Sequence, residues 1–280
     1  MISVILAVYN EDKYIKKCLN SLSAQKGVNF EVIVVDDGSR ISAISYQLSA
    51  ISNFHFFKIK HSGTAKARNF GAAKARGEIL VFLDGDMEFE KNFLKKLTAP
   101  ILQGKSKGTF STEEFVANWD NIWARCWNFE NNLPDKRRID PKRADMVKDF
   151  RAILKSEFDR VGGFDDIGYT DTWSLSEKLG YKPMPTKAVY YHYNFANLRE
   201  VFNQAVWIGG RKRRWGIIGK AIALFRVNLP FSIILGLTKS IQKKEPGFLI
   251  FKVVYDLGTW VGILKNISTP GVKKKSPPRG

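Results

Sequence analysis

Acidic residues stand directly after apolar runs in the N-terminal part of the chain. The segment Asp84-Gly85-Asp86 follows one such run, and Asp37 follows another. Two carboxylates two residues apart on a turn can face one hard cation, with Gly85 permitting a tight backbone path. Such a cation can neutralise a pyrophosphate group. The spacing predicts a site for a divalent cation and phosphate, although each segment alone is also typical of a plain surface turn.

Two further segments carry side chains suited to binding a nucleotide. Tyr9 and Glu11 come at the end of the first apolar run, where the Tyr9 ring can stack on a base or pack into the core. Lys66 and Arg68 lie at the start of an Ala-rich basic segment. Because a helix N-terminus favours anions, either cation could hold a phosphate there.

The apolar runs predict the elements that must position these side chains. Four buried strands alternate with helical spacing, which indicates an α/β fold with a mainly parallel sheet flanked by helices. Ligands bind such sheets at the carboxyl ends of the strands, where the acidic residues stand. The polar, Trp-rich segment 104–145 is predicted to form loops and short helices. The predicted strands are 2–8, 31–35, 54–59 and 79–83, and the predicted helices are 14–22 and 64–76.

The termini and the two cysteines suggest where the protein works. The first apolar run begins at residue 2 with no basic segment before it, which is typical of a strand and not of a secretion signal. Cys18 and Cys126 are too few for a disulfide framework and suit a reducing compartment.

Positive charge is concentrated at the C-terminal end. Of the net charge of +18, residues 199–280 carry +13, from 16 Lys and Arg against 3 Asp and Glu. We therefore expect two domains, 1–198 and 199–280. The basic end favours an anionic partner, which can be a lipid headgroup, a nucleic acid or a pyrophosphate-bearing substrate; a solvated basic surface is the plain alternative.

The C-terminal region contains two apolar stretches, 216–237 and 247–264, each interrupted by charges. Neither is a clean transmembrane span, since a span needs about 20 predominantly apolar residues. We expect amphipathic helices that lie in the interface of the cytoplasmic face of the cell membrane, peripheral or monotopic, with charges such as Lys252 and Asp256 facing water and headgroups. A helical hairpin packed on the rest of the chain or on a second subunit is the alternative.

Several segments together resemble a known family. SVILAVYNED, VIVVDDGS, GTAKARNFGAAKARGEILVFLDGDM and VGGFDD stand in an order similar to that of the inverting glycosyltransferases of family 2, over about residues 1–193. The resemblance implies the GT-A fold, a nucleotide-diphosphate sugar as donor, and Mg2+ or Mn2+ as cofactor.

The resemblance also implies roles for particular residues. Tyr9, Glu11, Asp37 and Arg68 match nucleotide-binding segments, with Lys66 beside them. Asp84 and Asp86 match the Asp-x-Asp motif, whose last carboxylate holds the metal. His192 matches a histidine that completes the metal site in some relatives, although a His among three Tyr is also typical of packing.

The sequence departs most from the family pattern at the position of the catalytic base. The family places a Glu-Asp pair after the Gly-Gly-Phe-Asp segment, and this chain has Thr170-Asp171 instead. Asp171 is the candidate base, while Asp165 and Asp166 stand close enough to substitute for it.

Candidates for acceptor or phosphate contacts stand near the base and at the start of the basic end. They are Trp173, Arg211, Arg214 and Trp215. Residues 211–215 partly resemble the Gln-x-x-Arg-Trp signature of processive synthases, with Arg211 in place of Gln; a basic cluster beside the membrane is the alternative.

The sequence therefore predicts a metal-dependent inverting glycosyltransferase that acts on a lipid-linked or glycan acceptor at an anionic membrane surface. A catalytically inactive membrane scaffold of the same fold is one rival, suggested by Thr170. A nucleic-acid-binding protein is a weaker rival, because the acidic clusters would repel a phosphate backbone. We expect no nucleic-acid partner.

Overall fold

The computed structural model describes residues 1–40, 53–166, 171–211 and 216–267, with backbone only at Asp171 and at 266–267. The chain divides into two compact units. The first combines Met1–Ala117 with Ile139–His192, and the second combines Asn118–Arg138 with the described residues from 193 to 267. This division differs from a single boundary at 198, because residues 118–138 pack with the C-terminal helices.

The first unit is built on a seven-stranded sheet in the order β3-β2-β1-β4-β8-β6-β9. Its first four strands are mutually parallel and confirm the α/β prediction. The apolar runs of the three inner strands are buried on both faces, as expected for a sheet covered by helices, whereas β3 at the edge is only partly buried. The four parallel strands are β1 (Ile2–Val8), β2 (Phe30–Asp36), β3 (Phe54–Lys58) and β4 (Ile79–Asp84).

Three short strands complete this sheet: β6 (Gly108–Ser111), β8 (Ala152–Leu154) and β9 (Met184–Thr186). β8 is antiparallel to both β4 and β6, so the sheet is mixed at this side. The prediction of loops and short helices for 104–145 is wrong where β6 lies, and wrong again at Glu114–Val116. Strands of three or four residues are too short to show a period in the sequence.

Helices cover both faces of the sheet. Side chains of α1 (Ile15–Ser23) and α3 (Phe93–Leu102) join one apolar core. Those of α2 (Thr64–Lys74), α5 (Lys155–Arg160) and α6 (Asp171–Leu179) join the other. The helices predicted at 14–22 and 64–76 are confirmed.

A second, three-stranded sheet lies next to the acidic segment. It consists of β5 (Met87–Phe89), β7 (Glu114–Val116) and β10 (Tyr190–His192), in the order β5-β10-β7. β10 is antiparallel to β5, which places His192 opposite Met87, and parallel to β7, which places Tyr190 opposite Glu114. Since β5 begins directly after Asp86, this register brings His192 beside that carboxylate.

The second unit is helical. The 21-residue helix α10 (Gly247–Ile267) packs against α4, α7 and α9. α8 and α9 form a bent pair, with 57° between them. The bend falls at Asn228, whose side chain caps α9 by accepting a hydrogen bond from the Phe231 N–H. The remaining helices are α4 (Ile122–Glu130), α7 (Leu198–Gly209), α8 (Gly216–Arg226) and α9 (Leu229–Lys243).

Two charges expected to face water and headgroups are instead buried inside this unit. Lys252 and Asp256 are 8% and 1% exposed. Lys252 Nζ lies 2.8 Å from Glu130 Oε1 and 3.1 Å from Asp256 Oδ1. The Ser232 hydroxyl donates to Asp256 Oδ2 at 2.7 Å. The expectation was wrong because α4 and α9 supply partners that make burial of the pair tolerable.

The expectation that neither apolar stretch is a clean span stays a prediction. Among the described residues, Gly247–Lys265 is long and apolar enough to cross a membrane by length and composition, and 44% of that window is buried inside the structure. A core helix of a soluble protein meets the same criterion. The stretch 216–237 meets it only as part of the bent pair of α8 and α9.

Candidate active site

Asp84, the last residue of β4, is held between two guanidinium groups. Arg68, from α2, donates from Nη2 to Asp84 Oδ1 at 2.6 Å, and Arg151, just before β8, donates from Nη1 to Oδ2 at 3.2 Å. Burial alone would raise the pKa of Asp84, but the charges of Arg68 and Arg151 outweigh it and hold that pKa well below its usual range. Asp84 is therefore a carboxylate fixed in a paired state.

Asp86, two residues further on, contacts a histidine instead. His192 Nε2 lies 3.1 Å from Asp86 Oδ2, and His192 Nδ1 lies 2.8 Å from Glu114 Oε1. All three side chains are buried. Asp86 and His192 were both predicted from the sequence, and the structure brings them together; Glu114 was not predicted.

These contacts bear on the predicted cation site. A carboxylate oxygen and an imidazole nitrogen about 3 Å apart have the separation of neighbouring ligands around an octahedral ion with bonds of about 2.1 Å, and the observed separation is 3.1 Å. Asp84, expected as a further ligand, is instead taken up by two arginines. Within the described residues no group of three or more His, Cys, Asp or Glu side chains is arranged to hold a metal. Asp86 and His192 are therefore the two predicted ligands that lie together.

Tyr9 and Asp37 both contact His61. The Tyr9 ring stacks on His61, with ring centroids 4.0 Å apart. His61 Nδ1 lies 2.8 Å from Asp37 Oδ2, and the N–H groups of Ser62 and Gly63 donate to the same carboxylate at 2.7 and 2.8 Å. The chain just before α2 is therefore tied to the end of β2.

Gly38 permits that approach. It has a φ of +79°, and a Cβ atom there would lie 2.7 Å from the His61 backbone nitrogen. Glu11 is placed at the start of α1, where its carbonyl accepts from the N–H groups of Tyr14 and Ile15.

The alternative bases are both in ion pairs. Asp165 Oδ1 lies 2.9 Å from Lys178 Nζ, and Asp166 Oδ2 lies 3.6 Å from Lys66 Nζ. Asp171 is the first residue of α6, while Thr170 lies outside the described residues. Lys66, predicted to bind phosphate, is thus beside an acid of the Gly-Gly-Phe-Asp-Asp segment.

The residues predicted to contact the acceptor belong to different parts of the chain. Trp173 is 44% exposed on α6, with Lys148 Nζ 5.8 Å from its ring centroid. Arg211 belongs to the second unit, where its guanidinium lies 4.5 Å from the Trp207 ring centroid. Arg214 and Trp215 lie outside the described residues.

Sequence reasoning missed three residues of this arrangement: His61, Glu114 and Arg151. His61 stands two residues before Gly63, the residue that precedes α2, so the turn composition was a usable signal. Arg151 stands directly before a short apolar run, but Lys148 and Asp149 are close by in the sequence. Nothing in the sequence separates Glu114 from its neighbour Glu113.

Comparison with known proteins identifies a family for this chain. The profile of the family described as "Glycosyl transferase family 2" matches residues 3–162. Glycosyltransferase AglE of Haloferax volcanii is 39% identical over 101 residues, which is 34% of this chain and 33% of AglE. Glycosyltransferase GlyG of Streptococcus pneumoniae serotype 4 is 30% identical over 101 residues, which is 35% of this chain and 34% of GlyG. The chain spans about a third of the length of these curated relatives.

The solved structures share the fold. S. aureus TarS 1-349 in complex with UDP-GlcNAc superposes with a TM-score of 0.57 at 18% identity, covering 95% of this chain and 91% of that chain. The same protein in complex with UDP gives a TM-score of 0.56 at 19% identity, with the same coverage. The predicted GT-A fold is confirmed.

Replacing Arg151 with Met removes one of the two cations on Asp84. We expect the pKa of Asp84 to rise by about 1 unit or more, because a neighbouring opposite charge lowers a carboxyl pKa by about 1–3 units. NMR titration of the Asp84 carboxyl carbon measures this. Lys107→Met is the control, since Lys107 pairs with Glu157 elsewhere on the unit. An Asp84 titration unchanged in Arg151→Met would mean that Arg68 alone holds the carboxylate.

Proposed function

The chain belongs to glycosyl transferase family 2, and from that premise we propose that it transfers a sugar from a nucleotide-diphosphate sugar to a hydroxyl acceptor, with inversion at the anomeric carbon. The observation that carries the proposal is the meeting of Asp86 and His192 beside the arginine-paired Asp84, at the carboxyl end of β4. That is the edge of an α/β sheet where ligands bind.

The donor's nucleotide is assigned to the residues around the start of α2. Arg68 and Lys66 supply positive charge for the diphosphate, while Tyr9 and Asp37 contact the nucleoside with Glu11 nearby. The Tyr9 ring is already stacked on His61, so we assign the base to the surface that this ring pair forms. A relative of this fold, TarS, has been solved in complex with UDP-GlcNAc, which puts uridine donors first for testing.

A divalent ion, Mg2+ or Mn2+, is assigned to Asp86 and His192. When bound, such an ion stabilises negative charge on the leaving diphosphate. Asp84 supports the site indirectly, because its carboxylate fixes Arg68 and Arg151 at the same edge of the sheet.

The reaction is proposed as a single displacement with Asp171 as general base. The acceptor hydroxyl oxygen attacks the anomeric carbon and forms the new C–O bond while the bond to the diphosphate breaks. Asp171 takes the hydroxyl proton, and the nucleoside diphosphate leaves with the bonding electron pair. We favour Asp171 because of its place in the family resemblance; Asp165 and Asp166, each of which lies beside a lysine, are the alternatives.

Membrane attachment is assigned to the second unit. Its helices α8, α9 and α10 expose many large apolar side chains, and a concentration of exposed apolar residues is typical of a membrane or protein interface. Basic residues at the helix ends, among them Arg226, Lys243 and Lys244, suit anionic headgroups. The exposed apolar residues are Ile217, Ile218, Ile222, Phe225, Leu229, Phe231, Ile233, Ile234, Leu235, Leu237, Ile241, Ile250, Leu257 and Trp260.

We therefore propose a peripheral or monotopic enzyme on the cytoplasmic face of the membrane, with a lipid-linked or glycan acceptor. Residues 1–198 then carry catalysis and 199–280 the attachment, with 118–138 as part of the attachment unit's fold. Arg211 and the Arg214-Trp215 pair are assigned to headgroup or acceptor phosphate, and Trp173 to the acceptor.

A panel of nucleotide sugars tests the function directly. We expect nucleoside diphosphate release with at least one donor, faster with Mn2+ than with EDTA, and faster still with a lipid-phosphate acceptor. Asp86→Ala is the control for the ion, because it removes a proposed ligand. No release from any donor, with or without acceptor, would support the rival reading as an inactive scaffold.

Asp171→Asn tests the base. We expect donor affinity to stay while transfer falls by a factor of roughly 10² or more, the usual scale for loss of a general base. Single-turnover assays with calorimetry of nucleoside diphosphate binding separate the two effects. If Asp171→Asn transfers normally while Asp165→Asn or Asp166→Asn does not, the base is one of the other acids.

Flotation with anionic liposomes tests the attachment. We expect the full chain to float, and to be released by high salt or alkaline carbonate, because each basic residue near the surface contributes only about 1 kcal/mol. The double variant Ile218→Glu, Ile234→Glu should bind more weakly. Leu102→Glu is the matched control, since Leu102 is an exposed apolar residue of the first unit. The proposal is contradicted if the full chain does not float with the vesicles. It is also contradicted if the bound chain stays on the vesicles in alkaline carbonate, as a spanning protein would.

A further inference from the structure

Glu114 belongs to neither the predicted site nor the family motifs quoted above, yet its carboxylate is directed at the histidine of the site. Glu114 is 6% exposed and comes from β7, beside the strand that carries His192. Its Oε1 lies 2.8 Å from His192 Nδ1. Its Oε2 accepts a hydrogen bond from the Tyr190 hydroxyl at 2.8 Å. Both carboxylate oxygens are therefore used, and both act as acceptors.

This contact decides how the imidazole is arranged. Both ring nitrogens face carboxylates, which only accept hydrogen bonds. A cation bound at Nε2 would replace the proton there, and the remaining ring proton would then lie on Nδ1, where Glu114 accepts it. His192 is then held with Nδ1–H toward Glu114 and with Nε2 toward Asp86, 3.1 Å away. The ring cannot exchange its two nitrogens without losing that hydrogen bond.

We propose that Glu114 is a positioning residue that fixes the ring orientation and tautomer of His192, so that Nε2 and the Asp86 carboxylate together bind the divalent cation. The inference rests on the proposed function, which assigns that cation to Asp86 and His192. Carboxylates that accept from the second nitrogen of a ligating histidine act in this way in general, and their loss lowers metal affinity by about 10–100-fold. Glu114 does not touch the cation or the substrate.

The backbone supports this role. β7 pairs in parallel with β10, with Glu114 opposite Tyr190 and Val116 opposite His192. The same pairing places Tyr191 on the other side of the strand, where its hydroxyl donates to Glu90 Oε1 at 3.1 Å. The chain thus contains a second tyrosine–glutamate pair, which is exposed and has no histidine in it.

The test compares Glu114→Gln with Glu90→Gln, which removes the charge of the exposed pair. Mn2+ binding in the presence of uridine diphosphate is measured by calorimetry on the full chain. We expect Glu114→Gln to bind Mn2+ about 10–100-fold more weakly than wild type, and Glu90→Gln to bind it normally. Equal affinity of Glu114→Gln and wild type overturns the inference and leaves the proposed cation site standing. No Mn2+ binding by wild type overturns the cation site itself.

A spectroscopic readout separates positioning from a general loss of structure. The chain has three histidines, so 15N-histidine labelling gives few signals, and His192→Gln assigns one of them. We expect a protonated Nδ1 for wild-type His192, and an Nε2 signal that moves on addition of Mg2+. In Glu114→Gln the Mg2+ response should be lost while the signals of His55 and His61 stay in place. Shifts of all three histidines would mean that the variant disturbs the fold, and would contradict a positioning role.

Discussion

Two carboxylates at the end of β4 require compensating charge, and the first unit's site is arranged to supply it. Asp84 and Asp86 are two residues apart, and a buried carboxylate is tolerable only with partners. Arg68 and Arg151 each contact one oxygen of Asp84, while His192 contacts Asp86. Three parts of the first unit therefore meet at this turn because the turn is acidic. They are α2, the residue before β8, and β10 of the second sheet.

The apolar runs in the sequence predicted the strands that are long enough to show such a run. The first four strands are apolar runs of five to seven residues, and each was found within a residue or two of its position. The three- and four-residue strands were not found, because their pairing partners lie far away in the chain. Glu114 and Arg151 reach the site through those same strands, so the sequence offered no way to prefer them over neighbouring charges.

The second unit distributes polarity differently from the first. Its buried interior contains the ion pair of Lys252 and Asp256 with Glu130, whereas its surface carries much of the exposed apolar area of the described chain. The sequence showed charges within apolar stretches but not which way they face. Reading them as surface charges failed because partners on α4 and α9 are distant in sequence.

The three-residue strand β10 limits which insertions and deletions the protein can tolerate. Tyr190 and His192 are buried on one side and Tyr191 is exposed on the other, as the two-residue alternation of a strand requires. A single codon inserted between β9 and β10 that shifted the pairing by one would present Tyr191 to Asp86 in place of His192, and a single codon deleted there would present Tyr193. Length changes should therefore be tolerated far less in the loop before β10 than substitutions are, and drift in this region should proceed by replacement of residues at constant length.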